Sequence, residues 1–171
     1  MMKKFLATLL LLGGIQLYAQ DTLRVKKVYL DQDIAYLQEG GERFTGMLES
    51  KRNNDLPSLQ QYYQDGVIQS EVVYYKTKEV KPMFKTVYQA EKPWAFQKIY
   101  YYHKKKNKYR ITSFDAEGRQ VYFEQYVNGK LTYSCEYAGP KKHGKEICYK
   151  ENGEQTVIEY EYGYPVRNNC E

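Results

Sequence analysis

The chain has 171 residues, 42% of them hydrophobic and 27% charged, enough for one domain or two very small ones and too few for a large multidomain enzyme. Its formal charge of +5 is a mild basic excess, and it falls to +3 when the first nineteen residues, with Lys3 and Lys4, are set aside. Those residues differ from the rest. Lys3 and Lys4 lead into the apolar run Phe5 to Leu12, and small or apolar residues continue to Ala19 before Gln20. A charged start, a short apolar stretch and a small residue at the cleavage position form the pattern of a secretory leader. Residues 1–19 are therefore expected to be a signal peptide, and the protein to be exported to the periplasm, the cell surface or the medium. The apolar run is shorter than the roughly 20 residues that cross a bilayer, so no transmembrane segment is expected. No Cys follows the run to carry a lipid anchor.

Residues 20–171 are expected to form a single β-repeat domain. Only 29 of these 152 residues are Val, Ile, Leu or Phe, whereas 19 are Tyr. Much of the core must then be tyrosine bodies whose hydroxyls stay near water or a partner. The part 20–59 has a loose rhythm: Leu23 to Leu30, Ile34 to Leu37 and Phe44 to Glu49 suggest short strands, with Gly40-Gly41 as a turn. Asp55 to Gln64 suggests a short helical turn opening at Asp55-Leu56-Pro57, and Ile68 to Tyr75 alternates weakly. The segment 76–93, with Pro82, Pro93 and several lysines, interrupts the pattern and is expected to be an irregular connection. Tyr100 to His103 and Val121 to Tyr126 alternate again. In Lys130 to Tyr137 every odd position is apolar and every even one polar, which predicts Leu131, Tyr133, Cys135 and Tyr137 on a buried face and Thr132 and Ser134 on a wet one. Ile158, Tyr160 and Tyr162 repeat the pattern against Glu159 and Glu161. Between these runs stand Asp65-Gly66, Glu117-Gly118, Asn128-Gly129 and Asn152-Gly153, dipeptides suited to tight hairpin turns. The expected fold is all-β: an elongated, twisted antiparallel meander of roughly ten to twelve strands.

The unit Tyr149-Lys-Glu-Asn-Gly153 followed by Tyr160-Glu-Tyr162-Gly163 has earlier copies at Tyr62 to Gly66 and Tyr126 to Leu131, and His143-Gly144-Lys145-Glu146 leads into Tyr149 with a Gly-x-x-x-x-Tyr spacing. In these residues the chain resembles the MORN repeat variant, whose β-hairpin repeats stack into an elongated sheet. Such repeats occur in exported proteins of Bacteroidetes-type bacteria and in the YwqK-type antitoxin family. The resemblance is clearest over 114–165, weaker over 60–75 and absent over 76–98. It implies hairpin architecture and supplies no catalytic residues.

Chemistry has few places to reside. His103 and His143 are the two histidines; both are expected in turns beside lysines, where a cation would be repelled. No HExxH, CxxC, GxSxG or phosphate-loop spacing occurs, so no enzyme activity, cofactor or metal is expected. Three cysteines in an exported chain raise the question of a disulfide. Cys135 and Cys148 face each other if they pair directly across the Gly139 to Gly144 turn. If instead Ile147 and Tyr149 share the buried face with Tyr133 and Tyr137, Cys148 points away from Cys135, leaving Cys148 with Cys170 as another pair. The buried-face pattern favours the second register, and a small buried thiol fits Cys135 best.

The run His103 to Lys108 holds Lys104, Lys105 and Lys106 and is flanked by Tyr100, Tyr101, Tyr102 and Tyr109. By strand alternation at least one ring of the triple must reach the wet face beside these lysines. Tyr100, Tyr101, Tyr102, Lys104, Lys105 and Lys106 are accordingly the candidate partner-binding residues. A wet hairpin tip whose lysines deter edge-to-edge aggregation is the alternative for the same residues. The expected function is that of a non-catalytic binding module whose tyrosine-rich sheet face docks a protein or an anionic envelope component, and nucleic acid is not an expected partner after export. The family resemblance implies a second function, an immunity or antitoxin protein that occludes a cognate toxin.

Overall fold

The computed structural model describes residues 22–24 and 27–166. The chain is all-β, with strands β1 (Thr22–Arg24), β2 (Val28–Asp31), β3 (Ile34–Leu37), β4 (Gly46–Lys51), β5 (Pro57–Gln64), β6 (Val67–Tyr74), β7 (Pro82–Gln89), β8 (Lys92–Tyr102), β9 (Lys108–Phe114), β10 (Gln120–Val127), β11 (Lys130–Ala138), β12 (Lys141–Tyr149), β13 (Gln155–Glu161) and β14 (Tyr164–Pro165). From β4 to β14 each strand pairs antiparallel with the next, an open meander of consecutive hairpins, while β1 lies parallel beside β4. At about 4.8 Å per strand spacing, the twelve-stranded sheet runs roughly 50 Å in the hydrogen-bonding direction. The expected turn dipeptides make the reversals. Asp65-Gly66 and Asn128-Gly129 take positive φ at both residues, the backbone of the two-residue hairpin turn whose twist matches that of its strands.

The β2–β3 hairpin forms its own two-stranded sheet and packs on one face of the large one. Ala35, Phe44, Leu48, Tyr63, Ile68 and Tyr88 are buried together there, with Val28, Leu37 and Trp94 against them. Three backbone hydrogen bonds lock the hairpin to the β5–β6 turn: Ala35 N–H to the Gly66 carbonyl, Gly66 N–H to the Phe44 carbonyl and Phe44 N–H to the Ala35 carbonyl, each 2.8 Å. A Cβ on Gly66 would lie 2.5 Å from Ile34 Cγ2 and 3.0 Å from the Ala35 carbonyl oxygen. Each large apolar side chain buried here contributes about 1.5–3 kcal/mol.

Beyond β8 the sheet is a single layer among the described residues. All eight residues of β10 are half-buried, and β13 is exposed except at Tyr160. With no second layer, large side chains on flanking strands cover small ones on either face, and alternation no longer separates a dry side from a wet one. Ser134 is 1% exposed and Cys135 0%, so the expectation that Ser134 is wet is corrected.

Four other expectations change. Asp55 to Gln64 is no helical turn: Asp55 takes positive φ in the loop and β5 starts at Pro57, the first strand position, where a missing N–H costs no ladder bond. Most of 76–93 is strand rather than irregular connection. Pro82 opens β7 in the same way and β8 begins at Lys92, which leaves 75–81 as the loop. Leu23 to Leu30 divides between β1, beside β4, and β2 of the covering hairpin. His143 lies in β12 rather than in a turn, its ring 4.7 Å from that of Tyr162.

Neither expected cysteine register occurs. Cys135 is opposite Glu146, Cys148 is opposite Tyr133, and Ile147 is opposite Ser134, so Cys148 shares the face of Cys135 without pairing with it. The cause is a bulge: Tyr137 pairs with Lys142, and residues 143–145 bow out against Glu136. Gly144 supplies the positive φ of +92°, the Glu136 carboxylate accepts the Lys145 N–H at 2.8 Å, and a Cβ on Gly144 would meet that carboxylate at 2.0 Å. Cys135 and Cys148 are free thiols, the first buried and the second exposed; Cys170 lies outside the described residues. In a Cys170→Ser variant a thiol reagent should label Cys148 in the native protein and Cys135 only after denaturation. Rapid native labelling of both would contradict the β11–β12 pairing.

Candidate functional site

Strand alternation divides the candidate tyrosines. Tyr100 and Tyr102 project from the face of β8 opposite the covering hairpin, and their rings stack at 6.4 Å with 11° between planes. Tyr101 projects to the hairpin side, where it packs 5.2 Å from Phe84 and lies under the Arg110 guanidinium at 5.0 Å. The candidate set is therefore not one patch. Register then adds two residues that no local pattern marks as a group: Tyr109 pairs with Tyr102, and Tyr126 pairs with Tyr109. Their centroids are 5.9 Å apart for Tyr102–Tyr109 and 4.7 Å for Tyr109–Tyr126, the latter pair parallel to within 7°. Four half-buried tyrosines thus form a continuous row across β8, β9 and β10, stacked at Tyr100–Tyr102 and at Tyr109–Tyr126 and tilted by 38° between Tyr102 and Tyr109. Lys85 stands 6.0 Å over the Tyr100 ring.

Hydrogen bonding and burial set the ionisation of this row. The Tyr126 hydroxyl donates to Glu124 at 2.8 Å, and that bond, with burial, pushes Tyr126 up to about 12. Burial, then the neighbouring Tyr100 and Tyr109 rings, raises Tyr102 above its ordinary value. Tyr102 and Tyr126 therefore keep their hydroxyl protons at physiological pH. The rings of the row turn toward one another, and ring edges remain for a partner.

The row ends at the β8–β9 tip, where Lys104, Lys105 and Lys106 are exposed. The tip is ordered by its own bonds. His103 N–H reaches the Lys108 carbonyl at 2.9 Å and Lys108 N–H the Lys106 carbonyl at 2.7 Å. His103 Nδ1 accepts the N–H groups of Lys105 and Lys106, both at 3.2 Å, which places the ring proton on Nε2. Tyr75 braces the tip against the 75–81 loop: its hydroxyl donates to the Tyr102 carbonyl at 2.7 Å, its N–H to the Lys81 carbonyl at 2.9 Å, and Lys104 lies 5.9 Å over its ring. Between the two hairpin ends is an open depression of about 310 Å³, lined by residues 102–109 with Lys81 and Pro82. Tyr75 and Lys81 went unrecognised as site residues because they flank the segment whose prolines and lysines masked β7. Tyr126 was hidden because cross-strand stacking leaves no trace in local periodicity.

A second cluster lies on the hairpin-side face of β11–β13. Glu146, 8% exposed, accepts hydrogen bonds from Lys142 Nζ at 2.5 Å and from the Tyr133 hydroxyl, and Lys142 sits 4.9 Å over Tyr160. Burial works against the Glu146 charge, but the bonds from Lys142, Tyr133 and Tyr160 outweigh it and hold its carboxyl below the ordinary value. Burial raises the neighbouring Cys135 thiol. An inaccessible thiol held in its protonated form is poorly suited to nucleophilic attack, and the arrangement is that of a stabilising ion pair. Among the described residues no three His, Cys, Asp or Glu side chains gather to hold a metal ion, and no helix is long and apolar enough to cross a membrane.

No protein-family model, curated protein or solved structure matches the chain.

Proposed function

We propose that the protein is an exported, non-catalytic binding module that docks a protein or anionic cell-envelope component on the face bearing Tyr100, Tyr102, Tyr109 and Tyr126, with Lys104, Lys105 and Lys106 at its margin. The observation that carries this reading is the continuity of a four-ring tyrosine row with a braced lysine tip. Rigid amphipathic rings lose little entropy when a partner covers them, and clustered charge at the margin speeds encounter. The 1–19 leader supports export, and the repeat resemblance supports a scaffold that serves recognition.

Tyr101 supplies an internal control, because it projects to the other face. With immobilised mature protein and an envelope extract, Tyr102→Ala with Tyr109→Ala should lower retention of the bound component about tenfold. Tyr101→Ala should leave it unchanged, and far-ultraviolet dichroism should show all the variants to be folded. Equal losses from Tyr101→Ala and from the double variant would remove the tyrosine row as the docking face.

A further inference from the structure

The lysines at the end of the tyrosine row come from two loops. Two adjacent hairpin ends converge there. The 75–81 loop brings Lys78 and Lys81, and the 103–107 tip with the start of β9 brings Lys104, Lys105, Lys106 and Lys108. Two depressions lie side by side: the one of about 310 Å³ and a second of about 260 Å³ lined by residues 77–79, Lys81, Lys104 and Lys105. Lys81, Lys104 and Lys105 belong to both. No carboxylate lines the larger one. The smaller has Glu79 alone, which is drawn to Lys81 at 2.6 Å. Among the described residues no other of these lysines has a carboxylate within ion-pair distance. These ammonium groups together make a positive local field into which an anion fits.

Three further features select the anion. The turns at the other ends of the strands, 65–66, 90–91, 115–119, 139–140 and 162–163, carry Asp65, Glu91, Asp115 and Glu117 against Arg119 alone. At the two lysine-bearing hairpin ends, by contrast, Lys78, Lys81, Lys104, Lys105, Lys106 and Lys108 face Glu79 alone, and the local field there favours an anion. Ammonium groups are compact point charges suited to a tetrahedral phosphate, which the planar fork of arginine is not needed to read. Each ring of the row has one face against a neighbouring tyrosine, so the site lacks the open aromatic platform of a nucleic-acid groove.

We propose that this double depression binds a ligand carrying two phosphate groups, one in each half, with Lys81, Lys104 and Lys105 shared between them. The Tyr75 brace holds the two loops in register, the Nε2–H of His103 is an additional donor, and Glu79 is the competing anion that the ligand displaces. The proposal deepens the docking function by naming the chemistry recognised, and it rests on that reading only in taking this end of the sheet to meet the partner.

Titration calorimetry of the mature chain with inorganic pyrophosphate tests it. Pyrophosphate should bind saturably and weaken with salt, and orthophosphate or sulfate should bind about tenfold more weakly. Lys81→Ser and Lys105→Ser should each weaken pyrophosphate about tenfold, Lys150→Ser at the β12–β13 turn should not, and Glu79→Gln should strengthen it about threefold. Flotation with vesicles of zwitterionic lipid, with and without a bisphosphorylated lipid, identifies the source. Binding to the phosphorylated vesicles marks a lipid headgroup, and binding to pyrophosphate without vesicle binding marks a soluble ligand; both support the site. No saturable pyrophosphate binding, or equal losses from Lys81→Ser and Lys150→Ser, would overturn it. Pyrophosphate binding that persists while envelope retention ignores Tyr102 and Tyr109 would sink the tyrosine face and leave the phosphate site standing.

Discussion

Phe44→Ala should destabilise the protein by about 3–5 kcal/mol, read as a fall in the midpoint of chemical denaturation. Phe44 is 2% exposed and its ring lies 5.9 Å from that of Tyr63, at the point where the β2–β3 hairpin meets the sheet. Its backbone also takes part in the triangle of hydrogen bonds with Ala35 and Gly66, so a cavity there cannot close without breaking polar bonds. Against a total stability of about 5–15 kcal/mol for a domain, that loss leaves little margin. Phe96, on the same face but 43% exposed, is the matched control. It lies beyond the cover of the hairpin, and Phe96→Ala should cost less, about 1–1.5 kcal/mol, since over two-fifths of its surface stays in water on folding. Amide exchange should localise the difference: Phe44→Ala should release Ala35 and Gly66 while the β9–β10 amides keep most of their protection. A larger loss from Phe96→Ala than from Phe44→Ala would place the core elsewhere.

Glu146→Gln should cost about 1–3 kcal/mol at neutral pH, the range for removing a hydrogen-bonded charge from a largely buried site, and it should also flatten the pH profile. The Glu146 carboxyl is held below its ordinary value of 4.5 by Lys142, Tyr133 and Tyr160 against the opposing effect of burial. A carboxyl depressed on folding contributes stability that is present above its unfolded pKa and is lost as pH falls through the folded one. Burial, then the bond to Glu146, raises Tyr133 above its ordinary value of 10. The bond to Glu146 raises Lys142 above 10.5. Groups raised on folding contribute below their unfolded pKa and lose that contribution as pH climbs through the folded one. The native protein should therefore hold a stability plateau from about pH 5.5 to 9 and weaken on both sides, whereas Glu146→Gln should weaken less steeply on each. Denaturation midpoints across that range measure it. Unchanged slopes on both limbs would show that the cluster does not couple to folding.

Much of the architecture is legible in local sequence. A strand exposes its period of two to inspection wherever side chains alternate, and Ile34–Leu37 is a strand with the bounds its residues suggest, while Lys130–Ala138 extends one residue beyond its alternating run. Asp-Gly and Asn-Gly pairs mark hairpin reversals because few other residues tolerate positive φ at both turn positions. Together they determined an all-β meander and its order of strands from β9 to β13. Where proline and lysine interrupt the alternation the signal fails, and β7 is hidden for that reason although Pro82 merely occupies a strand's first position.

The candidate site was legible in part. Lys104, Lys105 and Lys106 stand where the composition places them, at an exposed tip, and the triple tyrosine does send rings to both faces. That Tyr100 and Tyr102 belong with Tyr109 and Tyr126, and Tyr101 with Phe84 and Arg110, depends on pairing between strands. The approach of Lys81 to the lysine tip depends on it too.

What the amino-acid sequence by itself determined is the local geometry, strand after strand with a turn between. Tertiary structure alone decided which side of the sheet is dry, because the β2–β3 hairpin covers one face over β4 to β8 and, among the described residues, nothing covers either face beyond. It alone decided how β12 slides on β11, because the bulge at Gly144 closes around the Glu136 side chain. Alternation is a property of one strand and is unchanged by sliding or covering that strand, whereas burial and register are properties of two.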